Sequence, residues 1–81
     1  MAIEKIKAKL PGMFYRKPSP DEPPYKKEGD RVAKDDVIGL IEVMKSFHEV
    51  KAGFDGKIIA FKVDDGEAIT PSAVIADIEV L

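Results

Sequence analysis

Residues 28–43, EGDRVAKDDVIGLIEV, align without a gap with residues 65–80, DGEAITPSAVIADIEV, at an offset of 37. Gly29 meets Gly66, Val32 meets Ile69, Val37-Ile38 meets Val74-Ile75, and Ile41-Glu42-Val43 meets Ile78-Glu79-Val80. The stretches before them also match, at an offset of 44. There IKAKLPGMFY (6–15) lies over VKAGFDGKII (50–59), with Gly12 on Gly56. The order is the same in both halves. A chain of 81 residues supports one small domain with a modest core. Two like halves within it are therefore expected to pack face to face about a pseudo-two-fold axis, as a single domain spanning residues 1–81.

The local pattern specifies what each half is made of. In IKAKL, Ile6, Ala8 and Leu10 fall on one side and Lys5, Lys7 and Lys9 on the other. In VIADIEV, Val74, Ala76, Ile78 and Val80 share a side, with Asp77 and Glu79 opposite. KIIAFKV (57–63) and VIGLIEV (37–43) are rich in β-branched residues. Turn residues stand at Pro11-Gly12, Gly29-Asp30, Asp35-Asp36, 53–56, Asp64-Asp65-Gly66 and Pro71-Ser72. No long stretch has a helical period. Many short strands at this spacing predict an all-β sandwich or barrel.

The change of offset locates an insertion. Between its glycines the first half is seven residues longer, the difference between 44 and 37. The excess lies within residues 15–27, YRKPSPDEPPYKK, which carry four of the six prolines. Their restricted φ angles stiffen the segment. A tolerated surface loop and a purposeful projection are both consistent with it, since loops are where insertions survive and where binding occurs.

Composition excludes several classes. There is no cysteine, hence no disulfide framework or thiolate metal site, and one histidine cannot build a multi-His site within one chain. The expected metal content is none. Thirteen basic and 15 acidic residues, net −2, leave no basic footprint for nucleic acid. The start, MAIEKIKAKLPG, alternates charged with apolar residues and reads neither as a signal peptide nor as a membrane span. The expected address is the cytoplasm. No nucleophile, base and acid stand in a recognisable constellation, so the expectation is a non-enzyme.

One turn breaks the local rule. The halves join at IEVMKSFHEV, where a two-residue hairpin loop consists of Met44 and Lys45. Such loops need positive φ and favour Asn-Gly or Asp-Gly. Rules of this kind are broken where function outweighs stability, which singles out Lys45 at the tip with its amine in water. A solubilising surface lysine is the plain alternative. The register pairs Val43 with Ser46, Ile41 with His48, and Gly39 with Val50 on the inward face. Glu42 and Phe47 then share the outward face beneath Lys45. His48 is expected half-buried near the end of the sheet, with no catalytic role.

EVMKSFHEV resembles the attachment hairpin of biotinyl domains, commonly Glu-Ala-Met-Lys-Met, and the resemblance extends over nearly the whole chain, including Gly12, Gly29, Gly56 and Gly66. GMFYRKPSPDEPPY resembles the segment leading into the protruding thumb of the biotin carriers of bacterial acetyl-CoA carboxylases. The resemblance implies a flattened β-barrel of two four-stranded antiparallel sheets, with a Pro-rich thumb at about 16–27. It implies biotin as cofactor, joined covalently to Lys45. The hairpin residues Glu42, Val43, Met44, Ser46 and Phe47 would be read by a biotin protein ligase. The thumb residues Lys17, Pro18, Ser19, Pro20 and Asp21 would cover biotin or touch a partner. Biotin carboxylase, using ATP and bicarbonate, would load the arm, and a carboxyltransferase would pass the carboxyl group to acetyl-CoA, giving malonyl-CoA for fatty acid synthesis. Three residues depart from the pattern: Ser46 stands where Met or Leu is usual, Lys17 where thumbs often carry Thr, and Val43 where Ala is common. Lipoyl domains share the fold and the lysine, but their motif is usually Asp-Lys-Ala and they lack the thumb. A lipoyl carrier of a 2-oxoacid dehydrogenase-type complex is thus the second reading, and an unmodified β interaction module the third.

Overall fold

The computed structural model describes residues 2–81. Eight strands follow in order: β1 (Ala2–Lys7), β2 (Gly12–Tyr15), β3 (Arg31–Val32), β4 (Val37–Val43), β5 (Ser46–Lys51), β6 (Gly56–Phe61), β7 (Glu67–Ile69) and β8 (Val74–Val80). They form two four-stranded sheets, ordered β1-β8-β6-β3 and β5-β4-β2-β7, with every pairing antiparallel. Replacing each of β1–β4 by its counterpart in β5–β8 turns one strand order into the other. The extents of 37 × 27 × 19 Å describe a flattened body. This is the expected barrel-sandwich of two like halves. Among the described residues no helix is long and apolar enough to cross a membrane.

The likeness extends to single hydrogen bonds. Gly29 N–H donates to Ile58 O at 2.7 Å, and its counterpart Gly66 donates to Phe14 O at 2.6 Å. Asp36 N–H donates to Ala33 O and Ala73 N–H to Thr70 O, both at 3.0 Å. Ala52 N–H donates to Asp36 O at 2.9 Å, as Ala8 N–H does to Ala73 O at 2.8 Å. The core repeats too. Ala8 with Ala52, Phe14 with Ile58, Val32 with Ile69, Ile38 with Ile75, and Ile41 with Ile78 are all buried in one cluster. A fully buried Phe or Ile stabilises by roughly 1.5–3 kcal/mol, so these pairs hold the halves together.

Two details differ from the alternation in the sequence. Strand β1 begins before the IKAKL stretch and ends at Lys7, although Ala8 is buried and Leu10 still packs on the core. In β8, Ile75 and Ala76 are both fully buried. The β1–β8 register shifts between Ile6 and Lys7, leaving Ile75 without a partner in the ladder. The same happens at its counterpart Ile38, where the β4–β5 register shifts between Val37 and Gly39. A bulge turns one extra side chain inward, which strict alternation does not anticipate.

Candidate functional site

Strands β4 and β5 meet at the hairpin with the expected register: Val43 opposite Ser46, Glu42 opposite Phe47, and Ile41 opposite His48. Met44 and Lys45 form the two-residue loop, with φ of 49° and 69°. They are two of the three non-glycine residues with positive φ among those described, the other being Ser72. Positive φ at both central positions is the geometry of a type I′ turn, whose twist matches that of the flanking strands. Each non-glycine residue held there costs of order 1–3 kcal/mol. Packing does not offset that cost, because Met44 is 93% exposed. Lys45 and Ser46 are exposed too. Neither ion pair among the described residues includes Lys45.

The foundation of this hairpin is tight. Val43 is half-buried and packs against the core. A Cβ on Gly12 would collide with the Glu42 carbonyl oxygen and crowd the Cγ2 atoms of Ile41 and Val43. A Cβ on its counterpart Gly56 would collide with the Glu79 carbonyl in the same way. Only glycine lets β2 approach β4 this closely where the hairpin leaves the body. The turn is therefore strained but stands on a rigid base.

His48 departs from expectation. It is exposed, not half-buried. It does pair with the inward-facing Ile41, but β5 is an edge strand. At that edge the sheets splay around a groove of about 420 Å³, which His48 lines together with Lys5, Leu10 and Val50. An inward direction at an open seam still leads to water.

Residues 16–30 join β2 to β3 without forming a strand. Tyr25 N–H donates to Arg16 O at 2.9 Å, closing 17–24 into a loop. Between this loop and the outer face of the second sheet lies a groove of about 520 Å³. Lys17, Pro18, Ser19 and Pro20 form one wall, and Tyr15, Leu40, Glu42, Phe47 and Asp65 form the rest. Of the loop residues singled out from the sequence, Asp21 is exposed and does not line the groove. Glu42 and Phe47, two residues either side of the turn, belong to both hairpin and groove. Phe47 is 60% exposed, a large apolar surface offered beside the lysine. The Tyr15 hydroxyl has its pKa pushed above the ordinary value, first by desolvation, then by the charge of Glu42 and a hydrogen bond to it, and least by Asp65. It stays a proton donor well above neutral pH.

Sequence reasoning did not reach Tyr15, Leu40 and Asp65. For Leu40 a signal existed. It is 8% exposed yet lies outside the core cluster, on the outer face. Its counterpart in the repeat is Asp77. An apolar residue where the other half carries an acid on an outer face marks a covered surface. Nothing local points to Asp65, which is brought in from the turn before β7.

The family described as "Biotin-requiring enzyme", a biotin/lipoyl model, matches residues 4–78. The chain is 40% identical over 74 residues to a chloroplastic biotin carboxyl carrier protein of acetyl-CoA carboxylase from Arabidopsis thaliana, covering 88% of this chain and 29% of that protein. It is 38% identical over 64 residues to the biotin carboxyl carrier protein of acetyl-CoA carboxylase from Chlamydia pneumoniae, covering 79% and 38%. A protein of the same name from Pyropia yezoensis is 32% identical over 74 residues, covering 91% and 47%. The chain thus spans less than half the length of each of these relatives. With a family match over nearly its whole length, on a fold of two like halves joined at a lysine-bearing turn, the chain belongs to the biotin/lipoyl attachment-domain family.

Proposed function

We propose that this chain is the biotin carrier of an acyl-CoA carboxylase, with Lys45 as the site of covalent attachment. The observation that carries the proposal is the exposed primary amine on a turn whose two residues both hold positive φ, with no packing to compensate. The fold gains nothing from Met-Lys there that Asn-Gly would not give it more cheaply. An acylating enzyme gains a fixed, protruding target.

The residues fit the group. The ligase takes a proton from the Lys45 amine, which attacks an activated biotin carboxyl and displaces its activating group to form the amide. The new amide removes one positive charge, taking the formal count from 13 basic and 15 acidic to a net charge of −3. Glu42, Val43, Met44, Ser46 and Phe47 supply the surface the ligase reads. Met44 and Phe47 are its apolar part, being among the large hydrophobic side chains left in solvent. Biotin, once attached, supplies a ring nitrogen that carries a carboxyl group from one enzyme to another. The chain contributes reach and a high local concentration. Its contacts with each station are weak enough to break in every cycle.

Under this proposal the loop 17–24 is the thumb, and the groove beneath it shelters the far end of the arm. Pro18, Pro20, Leu40 and Phe47 offer apolar walls, and Tyr15 and Ser19 offer hydroxyls. Biotin carboxylase loads the arm and a carboxyltransferase unloads it. Acetyl-CoA is the proposed acceptor and malonyl-CoA the product, serving fatty acid synthesis in the cytoplasm. The names of the relatives support acetyl-CoA as the acceptor.

The test is intact-mass measurement after co-expression with a biotin ligase and biotin. Wild type is expected to gain one biotin, and Lys45→Ala none. A wild-type chain left unmodified by an active ligase would overturn the reading. Lipoate in its place, added by a lipoate ligase, would move the chain to the other branch of its family.

A further inference from the structure

We infer that Arg16 is a positioning residue that latches the Pro-rich loop at a fixed distance from the sheet, so that the groove stands open before any ligand arrives. The loop cannot hold itself there. Pro18, Pro20, Pro23 and Pro24 have no N–H to donate. Among the described residues, the one backbone hydrogen bond within the tip runs from Glu22 N–H to Ser19 O, at 3.1 Å. That bond shapes the tip without tying it to the body. Stiffness from proline fixes the loop's own course but not its angle to the sheet.

Arg16 supplies the missing attachment at four points. Its carbonyl accepts the Tyr25 N–H at 2.9 Å, joining both ends of the loop. Its N–H donates to Asp65 Oδ1 at 2.7 Å, tying that junction to the turn before β7. Its guanidinium lies over the Phe61 ring, 4.2 Å from the centroid, and Nη2 reaches the Lys26 carbonyl at 3.4 Å. Phe61 is itself fixed. Its ring packs at 6.5 Å from Phe14 in the core, and its N–H donates to Glu28 Oε2 at 3.0 Å. The loop of the first half is thus anchored on the second half at Arg16, by its N–H on Asp65 and its guanidinium on Phe61. The Arg16 Nε is buried without a partner. A residue selected for stability alone would satisfy that donor. Here the guanidinium is set by stacking on Phe61, and the orphan donor is the consequence.

The value of the latch to a carrier rests on the function proposed above, but it is measured on the unmodified chain, whatever becomes of Lys45. Backbone ¹⁵N relaxation and amide exchange are recorded for wild type, Arg16→Gln and Arg16→Lys. In wild type, Lys17, Ser19, Asp21 and Glu22 are expected near the rigid order parameter of about 0.85, falling below about 0.6 in Arg16→Gln. The Tyr25 amide is expected to exchange at least about tenfold faster in that variant, as a local opening requires. Amides of 41–48 keep their wild-type values. Arg16→Lys keeps a cation over Phe61 but loses the planar fork, and restores the loop's order in part. A loop as ordered in Arg16→Gln as in wild type overturns the inference. So does disorder that spreads equally into the hairpin, which would make Arg16 a structural residue only.

Discussion

Met44 and Lys45 have opposite value to the fold and to its proposed use. Both sit in the left-handed region, which an L-residue with a Cβ enters only at a cost. Replacing the pair by Asn-Gly, the sequence a type I′ turn prefers, is expected to raise stability by roughly 1–3 kcal/mol. Urea unfolding measures it. The same double variant has no amine to acylate, so stability and modification should move in opposite directions. An unchanged or lower urea midpoint would show that the turn is not strained. Lys45 was legible in the sequence because a turn rule is local and its violation shows in two letters. The exposure of His48 was not. Its ring points inward from β5, and only the splay of the sheets at that edge decides that the inward side is wet.

At the scale of elements, the long connection is joined to the body by charge as well as by Arg16. Lys26 Nζ lies 3.5 Å from Asp36 Oδ2, on the turn before β4. The same carboxylate oxygen accepts the Ala33 N–H at 2.9 Å. This backbone hydrogen bond is the main reason the Asp36 carboxyl is held below its ordinary value, with Lys26 adding to it against a partial desolvation. A carboxylate with a lowered native pKa stabilises the fold above its unfolded value of 3.8, and that contribution is lost as pH falls through the native value. Asp36→Asn keeps an acceptor but no charge. Its urea midpoint is expected to lie below wild type at pH 7, with the two converging as pH drops below 3.8. A gap that persists undiminished at acid pH would assign the effect to shape and not to charge. The insertion itself could be counted from the two offsets. That it would face Leu40 across a groove could not be read from them, although the Leu40–Asp77 mismatch pointed to a distinctive outer face.

For the molecule as a whole, the repeat makes a length experiment possible. Deleting residues 18–24 removes seven residues and gives the first half the connection length of the second. Since loop length enters stability only logarithmically, the deletion is expected to change it by about 1 kcal/mol. Far-ultraviolet circular dichroism should still show an all-β fold, and ligase should still modify Lys45, whose hairpin stands on Gly12 and the core. Loss of cooperative unfolding would mean that the connection is part of the fold. The sequence alone determined the two halves, their strands, the joining turn and the extra length, because hydrophobic alternation, turn chemistry and repeat spacing act over a few residues at a time. Tertiary structure decided which faces are dry. The bulges that bury Ile38 and Ile75, the wet seam beside His48, and the groove that gathers Tyr15, Leu40 and Asp65 all depend on where a second sheet or a distant turn comes to rest. No local pattern carries that information, because burial belongs to the packed pair of surfaces and not to either strand.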